Sequence, residues 1–195
     1  MKKKNLLYVS ALCACMSFSF MGCSDDDDKQ EIPSLPEQIS LNGVYVLNSG
    51  KQESNNSSLS FYDFETKKVE ADIFKKVNGR GLGDTANDIL VYGSKAYIAV
   101  TNSNTIEVID LQGKSLKQIV SDGDPLQPRF FSCYNGKVYV SLYGGYVARL
   151  DTTSLTIESK VKVGRNPEQM AIANNKLYVA NSGGADFNTA VGYDK

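Results

Sequence analysis

Val44-Tyr45-Val46-Leu47-Asn48-Ser49-Gly50 is the first of four stretches in which an apolar, Tyr-bearing run meets a short polar loop. The others are Ala96-Tyr97-Ile98-Ala99-Val100-Thr101-Asn102, Val138-Tyr139-Val140-Ser141-Leu142-Tyr143 and Leu177-Tyr178-Val179-Ala180-Asn181-Ser182-Gly183. Each is followed by a second run that closes on an acid: Phe61-Tyr62-Asp63, Val108-Ile109-Asp110, Arg149-Leu150-Asp151 and Gly192-Tyr193-Asp194. The four tyrosines stand 52, 42 and 39 positions apart. Strand-built units of roughly 40 to 45 residues are the period of β-propeller blades, because one small sheet cannot bury both faces without neighbours.

Two further strands complete the unit. After the acid, Leu116-Lys117-Gln118-Ile119-Val120 and Ile157-Glu158-Ser159-Lys160-Val161-Lys162-Val163 alternate apolar with polar, the period of a half-buried strand. Before the next Tyr come Asp88-Ile89-Leu90-Val91-Tyr92, Arg129-Phe130-Phe131-Ser132-Cys133-Tyr134 and Gln169-Met170-Ala171-Ile172-Ala173, the most continuously apolar runs, placed innermost as strand A. Gly93-Ser94-Lys95, Asn135-Gly136-Lys137 and Asn174-Asn175-Lys176 supply the positive φ that tight A–B hairpins need. The predicted fold is all-β: a partial β-propeller of about four A-B-C-D antiparallel blades. Copy one starts at strand B and copy four stops before strand D, so the reading is of an open arc. The chain is expected to be the N-terminal part of a protein about twice as long, or a truncated reading frame, since closing four such blades would leave the unpaired edges that natural sheets avoid.

The N-terminus reads differently. Lys2-Lys3-Lys4 precedes a short apolar stretch over 6–20, and Phe20-Met21-Gly22-Cys23 has the form of a bacterial lipobox. The apolar run is too short for a spanning helix, so residues 1–22 read as a lipoprotein signal peptide and Cys23 as the lipidated residue. Residues 23–41 read as the lipidated cysteine and a flexible acidic tether, with Pro33 and Pro36 and no core pattern. Residues 42–195 form the propeller domain. Ser24-Asp25-Asp26-Asp27-Asp28 resembles the acidic surface-export signal of Bacteroidota lipoproteins. Lipid on Cys23 would hold the protein to the outer membrane, exposed on the cell surface.

Charge and composition exclude much chemistry. Residues 24–41 carry net −5, whereas 42–195 carry net +1, so the domain has no electrostatic footprint for nucleic acid. There is no His, which removes Ser-His-Asp and Cys-His nucleophile pairs and imidazole zinc sites. Cys13 and Cys15 leave with the signal, and Cys133 remains as a small hydrophobe in an inner strand. Asp122-Gly123-Asp124-Pro125 reads as a turn, and no metal site or cofactor is expected.

Gly81-Leu82-Gly83-Asp84-Thr85-Ala86-Asn87-Asp88, Tyr97-Ile98-Ala99-Val100-Thr101-Asn102-Ser103-Asn104-Thr105, Val163-Gly164-Arg165-Asn166-Pro167-Glu168 and Leu177-Tyr178-Val179-Ala180-Asn181-Ser182-Gly183-Gly184 resemble the YncE/YVTN-type seven-bladed β-propellers, which implies that these four blades belong to a seven-bladed ring. With the lipobox and acidic run, the chain is most similar to the surface lipoproteins of Bacteroidota. Among these, the resemblance implies the BtuG-like group, which captures cobalamin for a TonB-dependent outer-membrane transporter.

Propeller topology sends the D–A and B–C loops to one face, and here these are the longer loops. A corrinoid, amphipathic and rimmed by amides, would want aromatic platforms beside hydrogen-bonding groups. Tyr143, Tyr146 and Phe187 are candidate platforms. Asn48, Arg80, Asp84, Thr85, Asn102, Arg129, Arg165 and Asn181 are candidate polar contacts. The reading is of a non-enzymatic capture lipoprotein. The alternatives are a propeller enzyme of lactonase or quinoprotein dehydrogenase type, and an adhesion or scaffolding propeller that binds a protein or glycan.

Overall fold

The structure, a computed structural model, describes residues 42–121 and 123–183. The lipobox with Cys23, the run from Ser24 to Asp28, Phe187 and the fourth Asp-closed run lie outside the described residues. The elements in chain order are β1 (Gly43–Asn48), β2 (Ser58–Asp63), β3 (Val69–Glu70), α1 (Ile73–Asn78), β4 (Ala86–Tyr92), β5 (Lys95–Val100), β6 (Thr105–Asp110) and β7 (Ser115–Ile119), followed by β8 (Pro128–Tyr134), β9 (Lys137–Leu142), β10 (Tyr146–Asp151), β11 (Thr156–Lys162), β12 (Pro167–Ala173) and β13 (Lys176–Asn181). They form four antiparallel sheets in the orders β1-β2-β3, β4-β5-β6-β7, β8-β9-β10-β11 and β12-β13. The all-β, propeller-type reading therefore holds, with two four-stranded sheets between a three-stranded and a two-stranded one among the described residues.

The A strands of successive blades are neighbours, as innermost strands must be. Asp88 Oδ2 on β4 accepts from the Phe131 amide on β8 at 2.8 Å, and Asn87 Nδ2 donates to the Arg129 carbonyl at 2.8 Å. Each A–B pairing also carries a register shift near its start, between Ala86 and Asp88, Pro128 and Phe131, and Pro167 and Met170. A bulge at the same place in three blades re-aims the second residue of strand A.

Strand B explains how neighbouring blades stick together. Its alternation sends Ala96 and Ile98 back onto the first blade, into a core with Leu59, Phe61, Tyr45 and Leu47. The residues between them, Tyr97 and Ala99, face forward and pack with Phe131, Val138 and Val140 of the third blade. Strict period-two alternation thus makes every inner blade two-sided, which is why β5 is buried nearly throughout. Cys133 sits partly buried against the second core.

The recurrent Asp at the end of strand C has a local cause. Asp63 Oδ1 accepts from the amides of Glu65 and Thr66, Asp110 Oδ1 from Gln112 and Lys114, and Asp151 Oδ1 from Thr153 and Ser154, all at 2.7–2.9 Å. These are Asx turns that close the C–D hairpins. One element was not expected from the sequence, the helix α1. Asp72 caps its first turn, accepting from the Lys75 amide at 3.4 Å, and Gly79 in the left-handed region ends it. Its Ile73 and Phe74 are fully buried in the core between the first and second blades.

Candidate loop-face site

The D–A and B–C loops meet on one face through a repeated backbone bond. The residue after strand B donates its amide to the residue before strand A: Thr101 to Thr85 at 2.9 Å, Tyr143 to Gln127 at 3.1 Å and Ser182 to Asn166 at 3.0 Å. The three acceptors are all left-handed, with φ of 58°, 42° and 48°. For the β-branched Thr85 this conformation is costly and persists only because the bonds around it hold it. Its hydroxyl donates to Asp84 Oδ1 at 2.8 Å, and the Asp84 amide donates to Ser103 Oγ at 2.8 Å.

Next to these bonds, the bulges place Asn87, Arg129 and Glu168 at the same position of three successive A strands. Arg129 Nε donates to Glu168 Oε2 at 3.1 Å, and its guanidinium lies 4.5 Å from the centre of the Tyr143 ring. The Tyr143 hydroxyl donates to the other Glu168 oxygen, Oε1, at 2.7 Å. Both ion-pair partners are largely buried, with side chains 18% and 16% exposed. Burial and the Glu168 bond raise the Tyr143 phenol above its ordinary value. Glu168 therefore has both oxygens engaged, which suits a positioned wall of a binding site better than a proton acceptor.

Beside this cluster the B–C loop of the third blade, Tyr143 to Tyr146, borders a groove of about 420 Å³. Its lining is Asp124, Pro125, Gln127, Leu142, Gly144, Tyr146 and Lys160, and Tyr146 is 38% exposed. Gly145 has φ of 93° and lies where a Cβ would come within 2.7 Å of the Gly164 carbonyl, so the loop needs glycine there. A larger groove of about 600 Å³ continues from Asp124 and Lys160 along the outer strands, past Lys117, Ile119, Leu155 and Ile157. That one is built by strand edges, whereas the smaller is built by the loops of this face.

The sequence candidates separate accordingly. Arg129 and Tyr143 come together, and Tyr146 opens onto the adjoining groove. Asn102 is exposed on the second blade's B–C loop, and Arg165 is half-buried in the fourth blade's D–A loop. Asn48 donates to Ser58 Oγ and Ser60 Oγ at 3.1 Å each, and Asn181 Nδ2 donates to the Val163 carbonyl at 2.8 Å. Arg80 lies elsewhere: its Nη2 donates to the fully buried Glu107 at 2.9 Å and to Ser115 Oγ at 3.1 Å, with Phe74 beneath it at 4.8 Å. It holds the segment after α1 to the second blade. Asn87, Gln127, Lys160 and Glu168 were not singled out from sequence. Aligning the blades on the residue after the D–A turn would have found Asn87, Arg129 and Glu168 as one series. Among the described residues, no group of three His, Cys, Asp or Glu gathers as a metal site.

A family model described as "Domain of unknown function (DUF5074)" matches residues 42–188. No curated protein matches the chain. Solved structures similar to it include hydrazine synthase of Kuenenia stuttgartiensis, at 18% identity and TM-score 0.54, with 78% of this chain and 46% of that one covered. A functionally unknown protein from Desulfotomaculum acetoxidans is 15% identical at TM-score 0.52, covering 70% of this chain and 45% of that one. The computationally designed Ika4 protein is 13% identical at TM-score 0.52, covering 76% and 93%. The chain spans about half the length of the two natural structures. At these identities the likeness is one of fold alone.

Proposed function

This chain belongs to the DUF5074 family, and from that premise we propose that it is a non-enzymatic capture module whose ligand sits on the D–A and B–C loop face. The observation that carries the reading is the groove at Tyr146. It sets an aromatic ring and the apolar Pro125 and Leu142 beside Gln127, Asp124 and Lys160, within a volume in the range of small-molecule sites. Next to it, Arg129 and Tyr143 hold both oxygens of Glu168, so that wall offers fixed hydrogen-bonding groups.

The ligand class is a large amphipathic molecule rimmed by amides. The YncE/YVTN resemblance, and within it the BtuG-like group, makes a corrinoid the first choice. The lipobox ending in Cys23 and the acids from Asp25 to Asp28 support a lipid-anchored protein on the surface of a Bacteroidota outer membrane, partnered with a TonB-dependent transporter. Equilibrium dialysis of the full chain against cyanocobalamin tests the reading. Saturable retention that Tyr146→Ala weakens supports it, and retention no greater than that of an unrelated protein sinks it.

A further inference from the structure

The wedge between the outer halves of the first and second blades is filled by the chain itself. The connection over 71–85 carries α1, whose Ile73 and Phe74 are fully buried among Leu59 and Phe61 of the first blade and Ile109 of the second. Two polar ties fix this segment to the second blade's outer strands: Asn78 Nδ2 donates to the Gly113 carbonyl at 2.8 Å, and Arg80 reaches the buried Glu107 and Ser115. The corresponding connection to the third blade, 120–127, is shorter and holds no helix among its described residues. In that second wedge lies the groove of about 600 Å³, floored by Ile119, Leu155 and Ile157.

Strand register makes the two wedges comparable position by position. Both C–D pairings shift at the same place, between Val108 and Ile109 and between Arg149 and Leu150, and leave Glu107 opposite Gln118 and Ala148 opposite Lys160. Counting back along the outer strand from that pair, Ser115 corresponds to Ile157. The acid that receives Arg80 is thus replaced by Ala148, and its glutamine neighbour by Lys160. On the facing wall Lys117 shares a face of β7 with Ile119. Both lysines are exposed, and neither pairs with a carboxylate among the described residues. Against them the described lining sets one acid, Asp124, where the groove meets the loop face.

We propose that this second wedge is a docking groove for an acidic peptide segment of a partner protein, with neighbouring apolar side chains seated on Ile119, Leu155 and Ile157 and a carboxylate between Lys160 and Lys117. Charge complementarity selects the occupant, and α1 supplies the template. What seats between the first two blades is a pair of adjacent apolar side chains followed by a charge opposite to the one waiting on the outer strands. With Lys160 waiting instead of Glu107, the required charge is negative. The floor shares no residue with the groove at Tyr146, so docking here does not rest on the ligand reading above.

Fluorescence anisotropy of the full 195-residue chain with two labelled synthetic peptides tests this. One peptide has the sequence of residues 71–81 with Lys75→Glu, Lys76→Glu and Arg80→Glu, and the other has that sequence unaltered. The acidic peptide should bind saturably, and roughly tenfold or more tighter than the unaltered one. Lys160→Glu should weaken it about tenfold with unchanged far-ultraviolet dichroism, whereas Lys51→Glu, an exposed charge reversal on the first blade's B–C loop, should leave it within about twofold. Should Lys160→Glu alter the dichroism, Lys117→Glu replaces it. Lys117→Glu and Lys160→Glu together should reverse the preference between the two peptides. No saturable binding up to about 1 mM acidic peptide, equal affinity for both peptides, or equal losses in Lys160→Glu and Lys51→Glu would each overturn the proposal.

Discussion

Arg129 Nε donates to Glu168 Oε2 across 3.1 Å, joining the third blade to the fourth at the same position of their innermost strands. The Tyr143 ring beneath the guanidinium and its hydroxyl on Glu168 Oε1 complete the cluster. Breaking a largely buried pair by removing one partner strands the other, so Arg129→Ala should cost roughly 2 kcal/mol, below the fully buried range because both side chains keep some exposure. A double-mutant cycle with Glu168→Ala should return a coupling of about 1 kcal/mol or more in urea unfolding. Additive single effects would mean that the cluster does not act as a unit.

Two equivalent tyrosines should answer differently to losing a hydroxyl. Tyr45 Oη donates to the Leu111 carbonyl at 2.5 Å, and burial followed by the Asp110 charge pushes its phenol up to about 12. Tyr97 Oη is buried and has no hydrogen-bond partner. Tyr45→Phe should therefore destabilise by about 1 kcal/mol, whereas Tyr97→Phe should be neutral or stabilising. Thermal unfolding of the two variants checks the contrast, and equal losses would contradict it.

Two aspartates give stability opposite dependences on pH. Burial raises the Asp88 carboxyl above its ordinary value, so the folded chain holds that proton more tightly and the penalty is complete above the raised folded value. Asp88→Asn keeps an acceptor for the Phe131 amide and removes the charge. It should unfold at a higher temperature than wild type at pH 7, the gap closing as pH falls toward about 4. Asp151 is held low by the Lys137 hydrogen bond and then by the turn amides of Ser154 and Thr153. Its contribution is present above the unfolded value near about 4 and is lost as pH falls through the lowered folded one, so Asp151→Asn should cost stability at pH 7. A melting-temperature gap for Asp88→Asn that stays constant with pH would refute the first assignment.

How much of this was legible beforehand follows from which residues carry periodic signals. The Tyr of strand B and the Asp of strand C recur because every blade needs the same interface and the same Asx turn, so the repeat and strand order could be read directly. The helix α1 left no such mark, having six residues and lying in one inter-blade loop only. Arg80 looked like a loop-face ligand by type and position, and only its burial partner Glu107, 27 residues on, sends it elsewhere. Glu168 went unselected because its value comes from Arg129, 39 residues earlier, a pairing that no local pattern encodes.

Lipid anchoring has its own test. Cys23→Ala should abolish incorporation of labelled palmitate in a Bacteroidota host and release the protein from the membrane fraction. Label retained in that variant would remove Cys23 as the attachment point.

The most direct test of ligand capture is amide chemical-shift mapping of the labelled full chain during titration with cyanocobalamin. The account predicts saturable shifts clustered at Gly123 to Arg129, Tyr143 to Tyr146 and Lys160, with the A–B turns at Gly93, Gly136 and Asn175 unmoved, and their loss in Tyr146→Ala. No shifts at high micromolar ligand, or shifts confined to the A–B turns, would contradict it.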